Sequence, residues 1–149
     1  MSNTSHIFSL NAQLRNDANV LGSFPLCKLL IIKDAQYPWF VLVPRRANVT
    51  EIVQLSPSDR TQLLEESCQL QESLLAAYQP DKLNVAALGN MVSQLHLHHI
   101  ARFRDDAAWP APVWGKHPAV PYTDAQLVER LEALRPHLPE TFVWGEQDE

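Results

Sequence analysis

The chain has little cysteine, little glycine, no excess of positive charge and no long apolar run. Cys27 and Cys68 are the only cysteines in 149 residues. Two thiols do not make a disulfide framework, no C-x-x-C pair exists, and buried thiols in a reducing compartment are expected. Gly occurs 4 times, and no G-x-G-x-x-G or P-loop is present, which removes the two common nucleotide-binding motifs. Lys and Arg number 12 against 17 Asp and Glu, a net charge of −5. Sequence-independent nucleic-acid binding draws on Lys and Arg contacts to phosphate, so no nucleic-acid partner is expected. A small phosphorylated ligand needs only a few local donors and stays open. The longest apolar runs, such as Leu29–Ile32 and Trp39–Pro44, fall far short of a membrane span. The N-terminal stretch MSNTSHIFSL lacks the basic region and apolar run of a signal peptide. No membrane partner is expected, and the cytoplasm is the expected location.

What is present is a globular composition, with 46% apolar and 19% charged residues. The length predicts a single domain over residues 1–149 with its own core. Leu10–Leu21 reads as a short helix with a turn at Gly22. Cys27–Lys33 and Trp39–Val43 read as strands joined by a turn at Asp34–Pro38. Ser56 is a good N-cap with Pro57 in the first helical position and Asp59 in the third, so a helix should run to about Tyr78. Lys82–Leu88 and Met91–Phe103 read as neighbouring antiparallel strands joined tightly at Gly89-Asn90. Thr123 and Gln126 form a capping box for a last helix that Pro136 stops. The stretch Asp105–Pro121, with four prolines and two tryptophans, reads as an extended arm, and Glu146–Glu149 as a frayed acidic tail. Strands joined by turns, without βαβ alternation, predict an α+β antiparallel sheet of about five strands with two main helices.

The strongest local signal is the stretch Gln94-Leu95-His96-Leu97-His98-His99-Ile100. A strand sends alternate side chains to opposite faces, so Gln94, His96 and His98 share one face with neighbours roughly 6.5–7 Å apart. Leu95, Leu97 and His99 share the other, which is the natural core side. Three readings compete. The row is a solvated polar face; or two imidazoles of a metal site, for which Asp105, Asp106 and His117 are the nearest further ligands; or a phosphorus-directed nucleophile with a hydrogen-bonding neighbour. A neutral imidazole is a good nucleophile near pH 7, with an ordinary pKa of ~6.5.

These residues resemble the histidine triad (HIT) family, whose signature is His-φ-His-φ-His-φ-φ with φ apolar. Gln94 stands at the first histidine, His96 and His98 at the second and third, and His99 at a φ position. Gly89 lies seven residues before the middle histidine with the polar Asn90 after it, and Asn84 lies where the family has an Asn or Gln. Phe40–Arg46 matches the family's strand ending in Pro-Lys/Arg, Asp34 stands at the ribose-contacting position, and Trp109-Pro110-Ala111-Pro112 is similar to a Trp-Pro-Pro-Gly stretch of one branch. The likeness covers about 21–114, with a C-terminal helix and tail over 123–149. Ala47 stands where many members have a histidine.

The resemblance implies a HIT-like fold and a hydrolase of nucleoside phosphates, phosphoramidates or dinucleoside polyphosphates. His96 would attack the α-phosphorus and form a nucleotidyl-histidine intermediate. His98 and backbone N–H groups near Gly89, Asn90 and Met91 would bind the phosphate oxygens. Gln94 would orient its neighbours, Asn84 would bind a phosphate or bridging oxygen, and Asp34 the ribose. No metal and no cofactor are implied; the partners are a small nucleotide and a second copy in a homodimer. The apolar composition of Leu21–Val43 suits an adenine base. The alternative is a nucleotide-binding or regulatory module with little turnover, favoured by Gln94 and Ala47. Arg45 and Arg46 are expected on the surface, Trp39 in the core, His99 behind the sheet, and Arg102 and Arg104 either guiding a polyphosphate or pairing with Asp105 or Asp106.

Overall fold

The computed structural model describes residues 7–146. In chain order it contains α1 (Ala12–Asp17), β1 (Ala18–Ser23), β2 (Cys27–Ile32), β3 (Trp39–Pro44), α2 (Pro57–Tyr78), β4 (Lys82–Ala86), β5 (Leu97–Arg102), α3 (Asp124–Leu134) and β6 (Val143–Trp144). The strands form one 6-stranded antiparallel sheet in the order β4-β5-β3-β2-β1-β6. The α+β class is as expected, with one strand more than the sequence suggests.

Both long helices begin where their caps predict. The Ser56 hydroxyl accepts from the Asp59 amide at 3.1 Å, and Thr123 and Gln126 bond each other's backbone N–H reciprocally. Leu63, Leu70 and Leu74 of α2 pack on Leu29, Ile31, Phe40, Leu42 and Leu97 to form the main core. Glu66, wholly buried within α2, accepts from the Leu26 and Cys27 amides at 2.8 Å each and so pins the helix to the start of β2. The opposite face is covered by chain without long helices. Phe8, Leu10 and Leu14 pack on Leu30, Val41 and Val43, while Ala108 and Val113 of the proline-rich arm pack on Tyr37 and Ile100.

Four expectations need correction. The segment Leu10–Leu21 is only half helix: Ala18–Ser23 is a strand, and Gly22 lies inside it. A Cβ at Gly22 would stand 2.2 Å from the Val143 carbonyl oxygen, so glycine there lets β6 pair with β1. The strands β4 and β5 are antiparallel neighbours, but an irregular ten-residue connection, Ala87–His96, joins them and no tight Gly-Asn turn is formed. Gln94 and His96 therefore precede the strand proper. Cys27 is buried, its thiol pushed up by burial and by Glu66, but Cys68 is exposed on α2. Of the acidic tail, Glu146 pairs with Arg15, and 147–149 lie outside the described residues.

Candidate active site

His96 and His98 project from the arm-covered face, His99 from the helix face, as strand alternation requires. His96 is 6% exposed, and its Nδ1 lies 2.7 Å from the main-chain carbonyl oxygen of Gln94. A carbonyl only accepts, so Nδ1 carries the proton and the neutral ring keeps its lone pair on Nε2. Nε2 has no hydrogen bond from the described residues. Gly89 lies beside this ring: a Cβ there would meet His96 Cε1 at an ordinary 3.5 Å but would stand only 2.8 Å from the Val92 carbonyl oxygen, which is the contact that calls for glycine.

The His98 ring lies 4.9 Å from that of His96, edge to face. Trp39 Nε1 donates to His98 Nδ1 at 2.9 Å, and His98 Nε2 lies 3.1 Å from the Leu88 carbonyl oxygen. An indole only donates, so Nδ1 accepts and the proton sits on Nε2, donated to Leu88. The Trp114 ring, 5.1 Å from His98 and 6.1 Å from Trp39, completes an aromatic box. Burial, with a smaller contribution from the neighbouring His96, lowers the His98 pKa to about 4 against the pull of the Leu88 carbonyl. On the far face His99 Nδ1 donates to the Leu97 carbonyl oxygen at 3.1 Å, and Nε2 accepts from the Ser67 hydroxyl at 2.7 Å. Burial lowers its pKa to about 4 as well.

His96 and His98 open on a cleft of about 740 Å³, within the usual size range for small-ligand sites. Asp34, Gly89, Asn90 and Met91 line it with the two histidines. Asp34 Oδ1 accepts from the Gln36 amide at 3.1 Å and the Val120 amide at 3.3 Å, fixing the turn between β2 and β3 beside the arm. Two predicted site residues are not among the cleft-lining residues. The Asn84 amide oxygen accepts from Arg102 Nη1 at 2.8 Å. The Gln94 side chain turns to the N-terminal segment, with Oε1 accepting from the Asn11 amide at 2.8 Å and Nε2 donating to the Ser9 carbonyl at 2.9 Å.

The cleft also takes residues that sequence reasoning missed. Trp39 was expected in the core; it is half-buried on the cleft wall and holds His98. Its place is set by the pairing of β3 with β5, which puts Trp39 opposite Ile100 and next to His98 on the same face, a long-range pairing that no local signal in the sequence gives. Leu14, Asn16 and Asp17 come from α1, and nothing local in the sequence marked them; Trp114, by contrast, reaches the cleft from the arm, one of the two places, pocket or subunit interface, that its position on the proline-rich arm suggests.

The arm is fastened by Arg102, which is 2% exposed. Its Nε and Nη2 donate to the two Asp106 carboxylate oxygens at 2.8 and 3.0 Å, and Nη2 also to the Ala111 carbonyl at 2.8 Å. Asp106 accepts in addition from the Phe103 amide at 3.0 Å and the Trp109 amide at 2.7 Å. Burial pushes this carboxyl up, but Arg102 and those amides outweigh it and hold it below the ordinary carboxylate range. Of the two expectations for Arg102, structural pairing with Asp106 is the one realised. Arg104 stays exposed, Arg45 bonds the Leu26 carbonyl at 3.1 Å and Arg46 pairs with Asp59 at 2.6 Å. Among the described residues no group of three or more His, Cys, Asp or Glu side chains is arranged to hold a metal ion.

A family model for the HIT domain matches residues 13–105. A histidine triad protein of Marinobacter aquaeolei VT8 is 47% identical with a TM-score of 0.85, over 89% of this chain and 96% of that one. One of Bradyrhizobium japonicum is 43% identical with a TM-score of 0.86, over 89% and 98% of the two chains. One of Sinorhizobium meliloti 1021 is 36% identical with a TM-score of 0.85, over 88% and 97%. No curated protein sequence gives a significant match. With the domain matched over more than half its length and these relatives matched nearly end to end, the chain belongs to the histidine triad family.

Proposed function

We propose that this chain is a metal-independent hydrolase acting at the α-phosphorus of a nucleoside phosphoramidate, phosphoester or dinucleoside polyphosphate, with His96 as nucleophile. The observation that carries this reading is the fixed ring of His96. Its Nδ1 proton is tied to the Gln94 carbonyl, which leaves a lone pair on Nε2 at the edge of a cleft of nucleotide size. Attack by Nε2 forms a phosphorus–nitrogen bond and breaks the bond to the leaving group, which departs with its electron pair. Water then forms a phosphorus–oxygen bond, the electron pair of the broken phosphorus–nitrogen bond returns to the ring, and a proton passes to solvent. The N–H groups along Gly89–Met91 and the Nε2 proton of His98, released from Leu88, would meet the non-bridging oxygens. Asp34 would meet the ribose, and Ile32, Trp39 and Val92 offer an apolar wall to an adenine base. Asn84 enters the proposal only through its bond to Arg102. A homodimer in the cytoplasm completes the proposal, by likeness to the family. No helix among the described residues is long and apolar enough to cross a membrane.

A second reading, a nucleotide-binding module with little turnover, is favoured by one observation. Both ring nitrogens of His98 and both polar atoms of the Gln94 amide are engaged within the protein, so neither neighbour of His96 in the motif stands ready to pass a proton to the leaving group.

Adenosine phosphoramidate and diadenosine polyphosphates, offered with and without a chelator, separate the two. The hydrolase reading expects turnover that the chelator leaves unchanged and that His96→Ala lowers by at least about 10³-fold, with a phosphorus–nitrogen adduct trapped on His96. An adduct on His98 overturns the assignment of the nucleophile. Tight AMP binding without turnover establishes the binding module.

A further inference from the structure

The first position of the triad holds an amide, and that amide faces away from the cleft. Gln94 Oε1 accepts from the Asn11 amide at 2.8 Å, and its Nε2 donates to the Ser9 carbonyl at 2.9 Å. The backbone partners fix the orientation of the side chain, because an N–H only donates and a carbonyl only accepts. The two bonded groups are one donor and one acceptor, two residues apart on the same face of an extended segment. A primary amide carries one acceptor and one donor side by side and matches this pair. An imidazole carries its two nitrogens on different edges of the ring and cannot meet both groups together.

The clasped segment leads directly into the cleft wall. Asn11 is the N-cap of α1, its Oδ1 accepting from the Gln13 amide at 2.8 Å and the Leu14 amide at 3.3 Å. The helix then carries Leu14, Asn16 and Asp17 to the cleft. From the other end of the same residue, the Gln94 carbonyl oxygen holds His96 Nδ1 at 2.7 Å. Gln94 precedes the regular part of β5, and its peptide group is held from the other side by the Leu95 N–H, which donates to the Val49 carbonyl at 2.9 Å.

We infer that Gln94 is a positioning residue: its side-chain amide clasps the N-terminal strap at Ser9 and Asn11, and this clasp, together with the Leu95–Val49 backbone bond, holds in place the carbonyl that orients the His96 ring. The clasp joins one wall of the cleft to the ring it faces. This inference rests on the reading of His96 as nucleophile for its functional meaning, but its geometry does not need turnover to be tested.

Two full-length variants, compared with the native chain, test it: Gln94→Met, which keeps length and loses both bonds, and Gln94→Glu, which keeps the acceptor and loses the donor. Two readouts need no substrate. One is hydrogen exchange at the Asn11 amide. The other is the ¹⁵N spectrum of the His96 ring, which reports its tautomer. The native chain should show a protected Asn11 amide and a single Nδ1–H tautomer at His96. Gln94→Met should speed Asn11 exchange by about fivefold or more, as loss of a hydrogen bond predicts, and bring in the Nε2–H tautomer. Gln94→Glu should fall between the two on both readouts, and unfolding curves establish that each variant is folded. An unprotected Asn11 amide in the native chain overturns the clasp. Faster Asn11 exchange with an unchanged His96 spectrum overturns the coupling. If both readouts respond as expected while no nucleotide is hydrolysed, the clasp stands and only the hydrolase reading fails.

Discussion

His98 and His99 lie on opposite faces of one sheet, and the two faces are sealed by different means. Behind the sheet, His99 is closed in by α2. Ser67 and the Leu97 carbonyl satisfy its nitrogens, and the surrounding core is built from leucines of a 22-residue helix. In front, His98 is held by an indole, a loop carbonyl and the irregular arm, and one side of this arrangement opens on a cleft. The two rings are equally neutral in the fold, with pKa values lowered to about 4 by burial. Neutrality therefore does not distinguish a histidine on the cleft from a packed one. What distinguishes them is whether the groups that seal the ring belong to a helix or to a loop beside open space.

The largest expected effect comes from breaking the seal of the front face. Asp106→Ala removes the carboxylate from a guanidinium that is almost wholly buried, and loss of one partner from such a pair costs about 3–5 kcal/mol. Denaturant titration should show that loss. Ring-current-shifted signals of Trp114 and His98 should disperse less, while the signals of His99 and α2 stay in place in the protein that remains folded.

Of the same order, but spread over two rings, is the response to acid. The unfolded chain binds protons at its histidines near pH 6.5, but His98 and His99 in the fold bind them only near about 4. Between those values the unfolded state carries more protons, so stability is full above about pH 6.5 and falls as the pH drops toward 4. Each ring contributes about 3 kcal/mol by this linkage. Urea midpoints measured from pH 7 down to 4.5 check it. Trp114→Ala sharpens the comparison: it uncovers His98, whose pKa should rise back toward its ordinary value, and leaves His99 unmoved. An imidazole titration by NMR that moved both rings equally would break the distinction between the faces.

A smaller effect is expected from Trp39→Phe, which removes the one donor to His98 Nδ1 among the described residues. The stability cost of one buried hydrogen bond is about 1–3 kcal/mol. The sharper readout is the His98 ring itself, which should lose its single Nε2–H tautomer in a ¹⁵N spectrum.

The two faces also differ in how far the sequence reveals them. The assignment of His96 and His98 to one side and His99 to the other follows from strand alternation over a few residues, and the helix starts follow from Ser56 and Thr123 with their own third neighbours. Those are local causes, and they are readable. The pairing of Gly22 with Trp144, the bond from Gln94 to Asn11 and the bond from Asn84 to Arg102 join residues far apart in the chain, and no neighbour in sequence announces them. Leu14, Asn16 and Asp17 were missed at the cleft for the same reason: they reach it only because the N-terminal segment folds across the sheet. The expected tight turn at Gly89-Asn90 failed for a further reason. Gly89 answers the close approach of the Val92 carbonyl within the irregular connection, a demand set by that loop's own path and not by a two-residue hairpin.

Arg102 carries a consequence for how this protein tolerates change. Its single planar fork serves Asp106, Asn84 and Ala111 at once, between the rings of Tyr37 and Trp109. Lysine, a single point donor on a flexible stem, cannot reproduce that arrangement. Asn84, Arg102 and Asp106 therefore form one heritable unit, in which a change at any member exposes the other two to loss.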